Sequence, residues 1–267
     1  MSFTPFLKWA GGKRWLVKLK SEIFDLNFNK YVEPFVGSAA IFFHLLPNKS
    51  ILSGKNKSLI DLYRAIKIDW KKVQKELIVH SRNHSFDYYY FLRSKNYNDP
   101  FSKAAQFLYL NRTCWNGIYR VNKQGIFNVP KGSKDKVLLD TDDFEMVSEY
   151  LKNSTLLDGD FADTIEMADK GDLLFIDPPY TANHNNNGFV KYNEKIFSWD
   201  DQVRLSGCVI KAKDKGVRII LTNADHESVR RLYENDFKVE SISRASILSG
   251  KAEFRRQVSE LFVTNLV

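Results

Sequence analysis

Residues 31–46 read YVEPFVGSAAIFFHLL. The apolar start at Tyr31, the Pro34 to Gly37 turn and the apolar run from Ser38 to Leu46 predict a strand, a glycine turn and a helix. The same alternation continues on both sides of a compositional break. Ser50 to Ser53 reads as a short strand and Ser58 to Ile68 as an amphipathic helix. From Asp69 to Leu110 the chain carries Lys, Gln, His, Asn and Tyr at helical spacing, which predicts a helical insertion. It is followed by NGIYRVNKQGIFNVPKG, a turn-rich stretch with Asn122 to Gly125 as a hairpin tip. Strands then return at Ser154 to Leu157, Asp172 to Asp177, Val217 to Leu221, Lys238 to Ser243 and Glu260 to Asn265. Helices fall around Asp200 to Lys213 and His226 to Asn235. Strand–helix alternation interrupted once predicts an α/β sheet domain, residues 1–68 and 138–267, carrying a mainly helical insert at 69–137.

The chain has 267 residues, 43% hydrophobic and 27% charged, an ordinary globular balance that excludes wholesale disorder. No apolar run reaches the ~18 residues of a membrane span, and the opening MSFTPFLKWAGGKRW lacks a signal-peptide core. Cys114 and Cys208 form no metal-type pair, which points to a reducing cytoplasm. His80 and His84 stand at i, i+4 spacing, but no third ligand or HExxH acid accompanies them, so no metal is expected. Forty basic residues against 32 acidic ones give a net charge of +8, and aromatics reach 14%. That balance suits a polyanionic partner onto which bases can stack, and it equally suits a basic protein with an aromatic core.

The sharpest chemical signal is Asp177-Pro178-Pro179-Tyr180, directly after the apolar strand LLFI. In open α/β sheets ligands bind at the carboxyl ends of strands, and this string places an acid and an aromatic ring there. The prolines stiffen the backbone, so a carboxylate and a backbone carbonyl can converge on one donor group while the ring covers it. Such geometry fits any exocyclic amino group, of adenine or of cytosine.

DPPY, the upstream EPFVGSAAIF and the N-terminal FLKWAGGKRWL together resemble the Dam-type (alpha-group, D12 class) DNA adenine-N6 methyltransferases. The likeness extends over nearly the whole chain, through NGIYRVNKQGIFNVPKG, LLDGDFADTI, FVKYNEKIFSWDDQ and SISRASILSGKAEFRRQVSELFVTN. It implies a Rossmann-like sheet, S-adenosyl-L-methionine as methyl donor, double-stranded DNA as partner and the bacterial or phage-infected cytoplasm as location. No obligate protein partner is implied. By the same resemblance Asp177, Pro178, Pro179 and Tyr180 are catalytic. Lys8, Trp9, Gly11, Gly12, Lys13, Glu33, Pro34, Phe35, Gly37, Ser38, Asp160, Phe161 and Asp177 are expected around the cofactor. Asp160 matches the acid set near the cofactor's adenine amino group.

The insert is expected to carry the DNA contacts: Arg93, Trp115, Asn116, Ile118, Arg120, Asn122, Asn128 and Pro130. Arg120 suits a guanine edge or a phosphate, Ile118 and Pro130 suit a thymine methyl, and Trp115 matches a wedge that holds open the gap left by a flipped base. Those residue types match the family's GATC readers. One position departs from the pattern. Where the family carries a carboxylate for the cofactor's ribose, this chain reads Ile51-Leu52-Ser53-Gly54-Lys55-Asn56, with Gly54 at the acid's place. A lost hydrogen bond to a charged group costs roughly 1.5–3 kcal/mol, so weaker cofactor binding is expected unless Ser53 or Asn56 offsets it. A DNA-binding homologue impaired in catalysis is the corresponding alternative to an active enzyme.

Overall fold

The computed structural model describes residues 4–122, 124–181, 197–245 and 257–266. Its strands are β1 (Tyr31–Glu33), β2 (Ser50–Gly54), β3 (Ser154–Asp158), β4 (Leu173–Ile176), β5 (Arg218–Ala224), β6 (Lys238–Ala245) and β7 (Gln257–Thr264). They form one seven-stranded sheet in the order β3-β2-β1-β4-β5-β7-β6. The pairs β2/β3, β1/β4 and β4/β5 are parallel, while β7 runs antiparallel to β5 and β6. The central strand β4 is apolar without alternation; Leu173, Leu174, Phe175 and Ile176 are all buried, as a strand covered on both faces requires. This is a mixed α/β fold, as the alternation predicts.

Contacts divide the chain into two units. The first comprises Met1–Asp25 and Val36–Asp158. It contains β2, β3 and the helices α1 (Arg14–Leu19), α2 (Phe42–Leu45), α3 (Lys57–Arg82), α4 (Phe86–Ser94), α5 (Pro100–Thr113) and α6 (Phe144–Leu151). The start of α3 is set by Asn56, whose side chain accepts from the Leu59 amide, and the start of α5 by Asp99 followed by Pro100. The expected boundary at 68/69 falls inside α3, at its one non-helical residue, Asp69 (φ −157°, ψ 84°). Residues 69–137 share a contact unit with β2 and β3.

Two local expectations change. The helix expected from Ser38 to Leu46 shrinks to α2, because Ala39 (φ 54°) sits in the left-handed region and its amide closes a turn onto the Val36 carbonyl at 2.7 Å. The apolar run is a buried turn there: Ala39, Ile41, Phe42 and Phe43 are at most 1% exposed. The stretch around Asn122 to Gly125 closes through isolated antiparallel bridges, Cys114↔Lys131 and Val121↔Phe127, and contains no named strand among the described residues.

The second unit comprises Leu26–Phe35 and Gly159–Val267, with β1, β4 to β7, α7 (Phe161–Glu166), α8 (Trp199–Asp214) and α9 (Glu227–Arg230). A reciprocal capping box of Ser198 and Asp201 starts α8. The helix expected over His226 to Asn235 keeps only its first turn as α9; bonds from the Leu232 and Tyr233 amides to Val229 and Arg230 tighten the rest into turns. The first part of FVKYNEKIFSWDDQ, residues 189–196, lies outside the described residues.

Candidate active site

Strand order reverses between β1 and β4, since β2 and β3 continue from β1 on one side and β5 follows β4 on the other. Ligands of open α/β sheets bind at such a switch point, beyond the carboxyl ends of the strands. β1 and β4 are parallel neighbours with Val32 opposite Leu174, so their exits lie at the same end of the sheet. Glu33-Pro34-Phe35 leave β1 there, and Asp177-Pro178-Pro179-Tyr180 leave β4.

The side chains of this exit are tied down by later parts of the second unit. Thr222, on β5 and 1% exposed, donates its hydroxyl to Asp177 Oδ1 at 2.9 Å. The Tyr180 hydroxyl donates to Glu260 Oε2 at 2.6 Å. Beyond the tyrosine, Gln202 on α8 is fully buried; its amide donates to the Thr181 carbonyl at 3.2 Å and exchanges hydrogen bonds with the Asn223 amide. Glu33 is 3% exposed and accepts the Tyr31 hydroxyl at 2.9 Å. Burial pushes its carboxyl well above the usual carboxylate range against the opposing Tyr31 hydrogen bond, and the charge of Asp177 adds to the rise. The exit thus presents a fixed acid, a fixed ring and a second, buried acid with a raised pKa.

After β3, Asp160 caps α7 by accepting from the Ala162 amide at 2.9 Å. Its two carboxylate oxygens also receive the guanidinium fork of Arg204 on α8, at 2.6 and 2.8 Å. Bidentate geometry of this kind fixes the direction in which the acid points. Arg204 further lies 4.0 Å over the Phe161 ring. Phe161 stacks on Phe35, with centroids 5.5 Å apart at 27°, and Phe197 meets both rings. An acid beside a wall of three phenylalanines suits a flat ligand with an amino edge.

The first unit holds the remaining expected residues. Lys8 is pinned to the end of α5: its amide donates to Asn111 Oδ1 at 3.0 Å and its ammonium to the Arg112 carbonyl at 2.6 Å. Burial, with Lys134 nearby, lowers the pKa of that ammonium. Gly11 takes φ +78°, and Lys13 donates to its carbonyl at 2.8 Å. At Gly37 (φ +44°) a Cβ would stand 3.0 Å from Trp9 Cδ1, so the indole packs directly on glycine backbone. Gly12 and Ser38 are neighbours in the same turn. Gly54 ends β2 opposite Asp158 of β3, whose carboxylate is taken by Arg64 at 2.7 Å and held below the usual range by that bond. Ser53 is fully buried, and Asn56 spends its side-chain oxygen on the α3 cap.

In the insert Arg93 donates to the Val129 carbonyl at 3.1 Å and stacks on Tyr90, which braces the base of the hairpin segment. Arg120 Nε donates to Asn128 Oδ1 at 3.0 Å, while Asn122 Oδ1 accepts from the Gln124 and Ile126 amides and shapes the tip. Trp115 is 54% exposed, and Asn116 beside it adopts φ 54°. His80 and His84 bond the Tyr88 and Tyr109 hydroxyls, and His84 also meets Asp135.

A family model described as D12 class N6 adenine-specific DNA methyltransferase matches residues 9–250. The chain belongs to that family. Its relatives include the Type II methyltransferase M1.LlaDCHI of Lactococcus lactis subsp. cremoris, 35% identical over 99% of this chain and 96% of its own length. The Type II methyltransferase M.MjaIII of Methanocaldococcus jannaschii is 34% identical over 99% of this chain and all of that protein. The DNA adenine methylase of Escherichia coli K12 is 30% identical over 96% and 93%.

This D12 methyltransferase is therefore an adenine-specific DNA-modifying enzyme, which removes the cytosine-N4 alternative. Among the described residues no helix is long and apolar enough to cross a membrane. Sequence reading of the methyltransferase missed Thr222, Glu260, Arg204 and Gln202. Gln202 and Glu260 do fall within the quoted stretches FVKYNEKIFSWDDQ and SISRASILSGKAEFRRQVSELFVTN, and Glu260 is an ionisable residue directly before the apolar run LFV.

Proposed function

We propose that this methyltransferase transfers a methyl group from S-adenosyl-L-methionine to the N6 amino group of an adenine drawn out of duplex DNA, with GATC as its target. The observation that carries the reading is the tethered Asp177-Pro178-Pro179-Tyr180 exit at the switch point between β1 and β4. The adenine amino nitrogen is a poor nucleophile because its lone pair is delocalised into the ring, and within the stack it is out of reach. The Asp177 carboxylate and the Pro178 carbonyl accept its two N–H bonds and draw the nitrogen toward tetrahedral geometry. Tyr180 stacks on the extruded base. Positioning and electrostatics then supply most of the rate.

The donor, when bound, supplies an electrophilic methyl group on a sulfonium. Its fit is supported in each unit separately. In the second, Asp160 and the Phe35–Phe161 wall match the amino edge and flat face of an adenine, with Glu33 and Pro34 alongside. In the first, Trp9 packs on Gly37 where a Cβ would intrude, and Lys8, Gly11, Gly12, Lys13 and Ser38 form the surrounding turns. Isotopic methyl transfer to defined duplexes, read by nucleoside mass spectrometry, tests the whole reading; a product other than N6-methyladenine refutes it.

Gly54 is the departure with a measurable consequence. A Cβ at this position would lie 3.9 Å from Ile60 Cδ1 and Val36 Cγ1, ordinary contact distances, so a side chain can start here without strain. Gly54→Asp should tighten S-adenosyl-L-methionine binding by up to ~1.5–3 kcal/mol, the value of a charge-assisted hydrogen bond. Isothermal titration of both proteins measures it. Equal or weaker binding by the Asp variant means that the ribose contact has been rebuilt around glycine.

For the target, the reading rests on the exposed Trp115, the Arg120–Asn128 pair, Ile118, Asn116 and Pro130. The bond between Arg120 and Asn128 uses Nε, which is compatible with an end-on guanine contact through the two terminal nitrogens. Such a pair is worth about 1–3 kcal/mol of discrimination. Arg120→Ala should relax specificity at one base pair by roughly ten- to a hundred-fold with little change in salt slope. A uniform loss across single-base-changed duplexes, with the slope reduced by about one unit, would assign Arg120 to a phosphate.

A further inference from the structure

Glu260 is the one ionisable residue in a stretch of β7 that is otherwise apolar and fully covered. Glu260, Leu261, Phe262 and Val263 are all at most 1% exposed. On β7 it pairs with Ala224 of β5 and Ile242 of β6, so backbone neighbours flank it on both sides. Burying a carboxylate costs several kcal/mol unless a donor meets it, so an acid at this place needs a specific partner. One such partner is the Tyr180 hydroxyl, 2.6 Å away and 80 residues earlier in the chain. Thr222, two residues before Ala224 on β5, plays the equivalent part for Asp177. Both groups that define the β4 exit are thus held from the sheet beside them.

We propose that Glu260 is a positioning residue for methyl transfer: its buried carboxylate anchors the Tyr180 hydroxyl and so fixes the plane of the ring that covers the target base. A phenylalanine in the tyrosine's place would stack as well but would be free to rotate and slide. The anchored phenol removes that freedom before the base arrives, so the ordering is not deducted from the binding of DNA. The charge of Glu260 adds to that of Asp177 in keeping the phenol protonated: burial, then these two charges and the Glu260 bond, push the Tyr180 pKa well upward, opposed by a hydrogen bond with Thr222. A protonated phenol is the donor the anchor requires.

The inference rests on the proposed stacking role of Tyr180, and the test separates the two. Single-turnover methyl transfer is measured for Tyr180→Ala, Tyr180→Phe, Glu260→Leu, Glu260→Gln and the Tyr180→Phe/Glu260→Leu pair, with donor and DNA dissociation constants measured alongside. Glu260→Leu should lower the rate constant about ten- to a hundred-fold, the scale of a misplaced reacting group, with both dissociation constants within about threefold. Glu260→Gln keeps an acceptor for the phenol and should recover most of that loss. The double variant should be no slower than Glu260→Leu alone, since both changes remove the same anchor. Replacing both partners by apolar groups removes both ends of the Tyr180–Glu260 bond together, so the double variant keeps the comparison possible if Glu260→Leu folds poorly. A full rate in Glu260→Leu, or losses that multiply in the double variant, overturns the anchor while Tyr180→Ala remains slow. A full rate in Tyr180→Ala overturns the stacking role itself, and the anchor with it.

Discussion

Asp177→Ala is expected to slow methyl transfer by about three orders of magnitude, the range spanned by removal of a positioned acid or a charge-stabilising group. DNA binding should change only a few-fold, because in the proposed mechanism the carboxylate acts on the extruded amino group and not on the duplex. The structure sharpens that expectation. Thr222 already orients Asp177 through a 2.9 Å bond, so the acid enters the reaction with its geometry fixed, and truncation removes that geometry along with the charge. Thr222, 1% exposed, loses that acceptor but keeps its hydrogen bond with Tyr180, so the stability cost should be small. Single-turnover transfer on a hemimethylated duplex, with DNA binding measured by anisotropy, checks both parts. Retention of a substantial fraction of the wild-type rate would move the catalytic site elsewhere.

The second large effect concerns stability. Arg112, at the end of α5, is fully buried and makes a two-pronged bond to Asp142 at 2.7 and 2.5 Å. Its other hydrogen bonds go to the Val137 and Phe6 carbonyls at 2.7 and 3.0 Å. One side chain therefore joins α5, the N-terminal segment and the chain leading to α6, all within the first unit. Removing one partner of a buried pair leaves an uncompensated charge and costs about 3–5 kcal/mol. Arg112→Leu should lower the melting temperature by about 10 °C in differential scanning calorimetry. Arg112→Lys, a point charge without the planar fork, should recover only part of it. A shift below ~2 °C for Arg112→Leu would show that the cluster relaxes around the loss.

Much of the fold was legible because it depends on local backbone preference. The apolar runs at 173–176 and 219–221 have no alternation to mistake for a half-exposed strand, and both became buried strands that pair in parallel with each other. The run from Ser38 to Leu46 failed for the opposite reason. Its residues are apolar on every face, so their pattern does not distinguish a helix from a buried turn, and the left-handed Ala39 decided for the turn. Glu33 illustrates the limit for the site. Its sequence neighbours align it with a cofactor-binding turn, yet its ionisation preference comes from burial and from Tyr31 and Asp177. Arg204 stands 44 residues beyond Asp160, and nothing in its own sequence neighbourhood marks it as that acid's partner.

By itself the sequence determined the α/β alternation, the family and the chemical groups at the β4 exit, because periodicity and short strings are properties of contiguous residues. Only the tertiary structure decided what holds those groups. Thr222 lies 45 residues from Asp177 and Glu260 lies 80 residues from Tyr180, and the pairings of β5 with β4 and β7 bring them beside that exit. Hydrogen bonds and burial act through space, so the partner of each reactive side chain was settled by strand order and not by its neighbours in the chain.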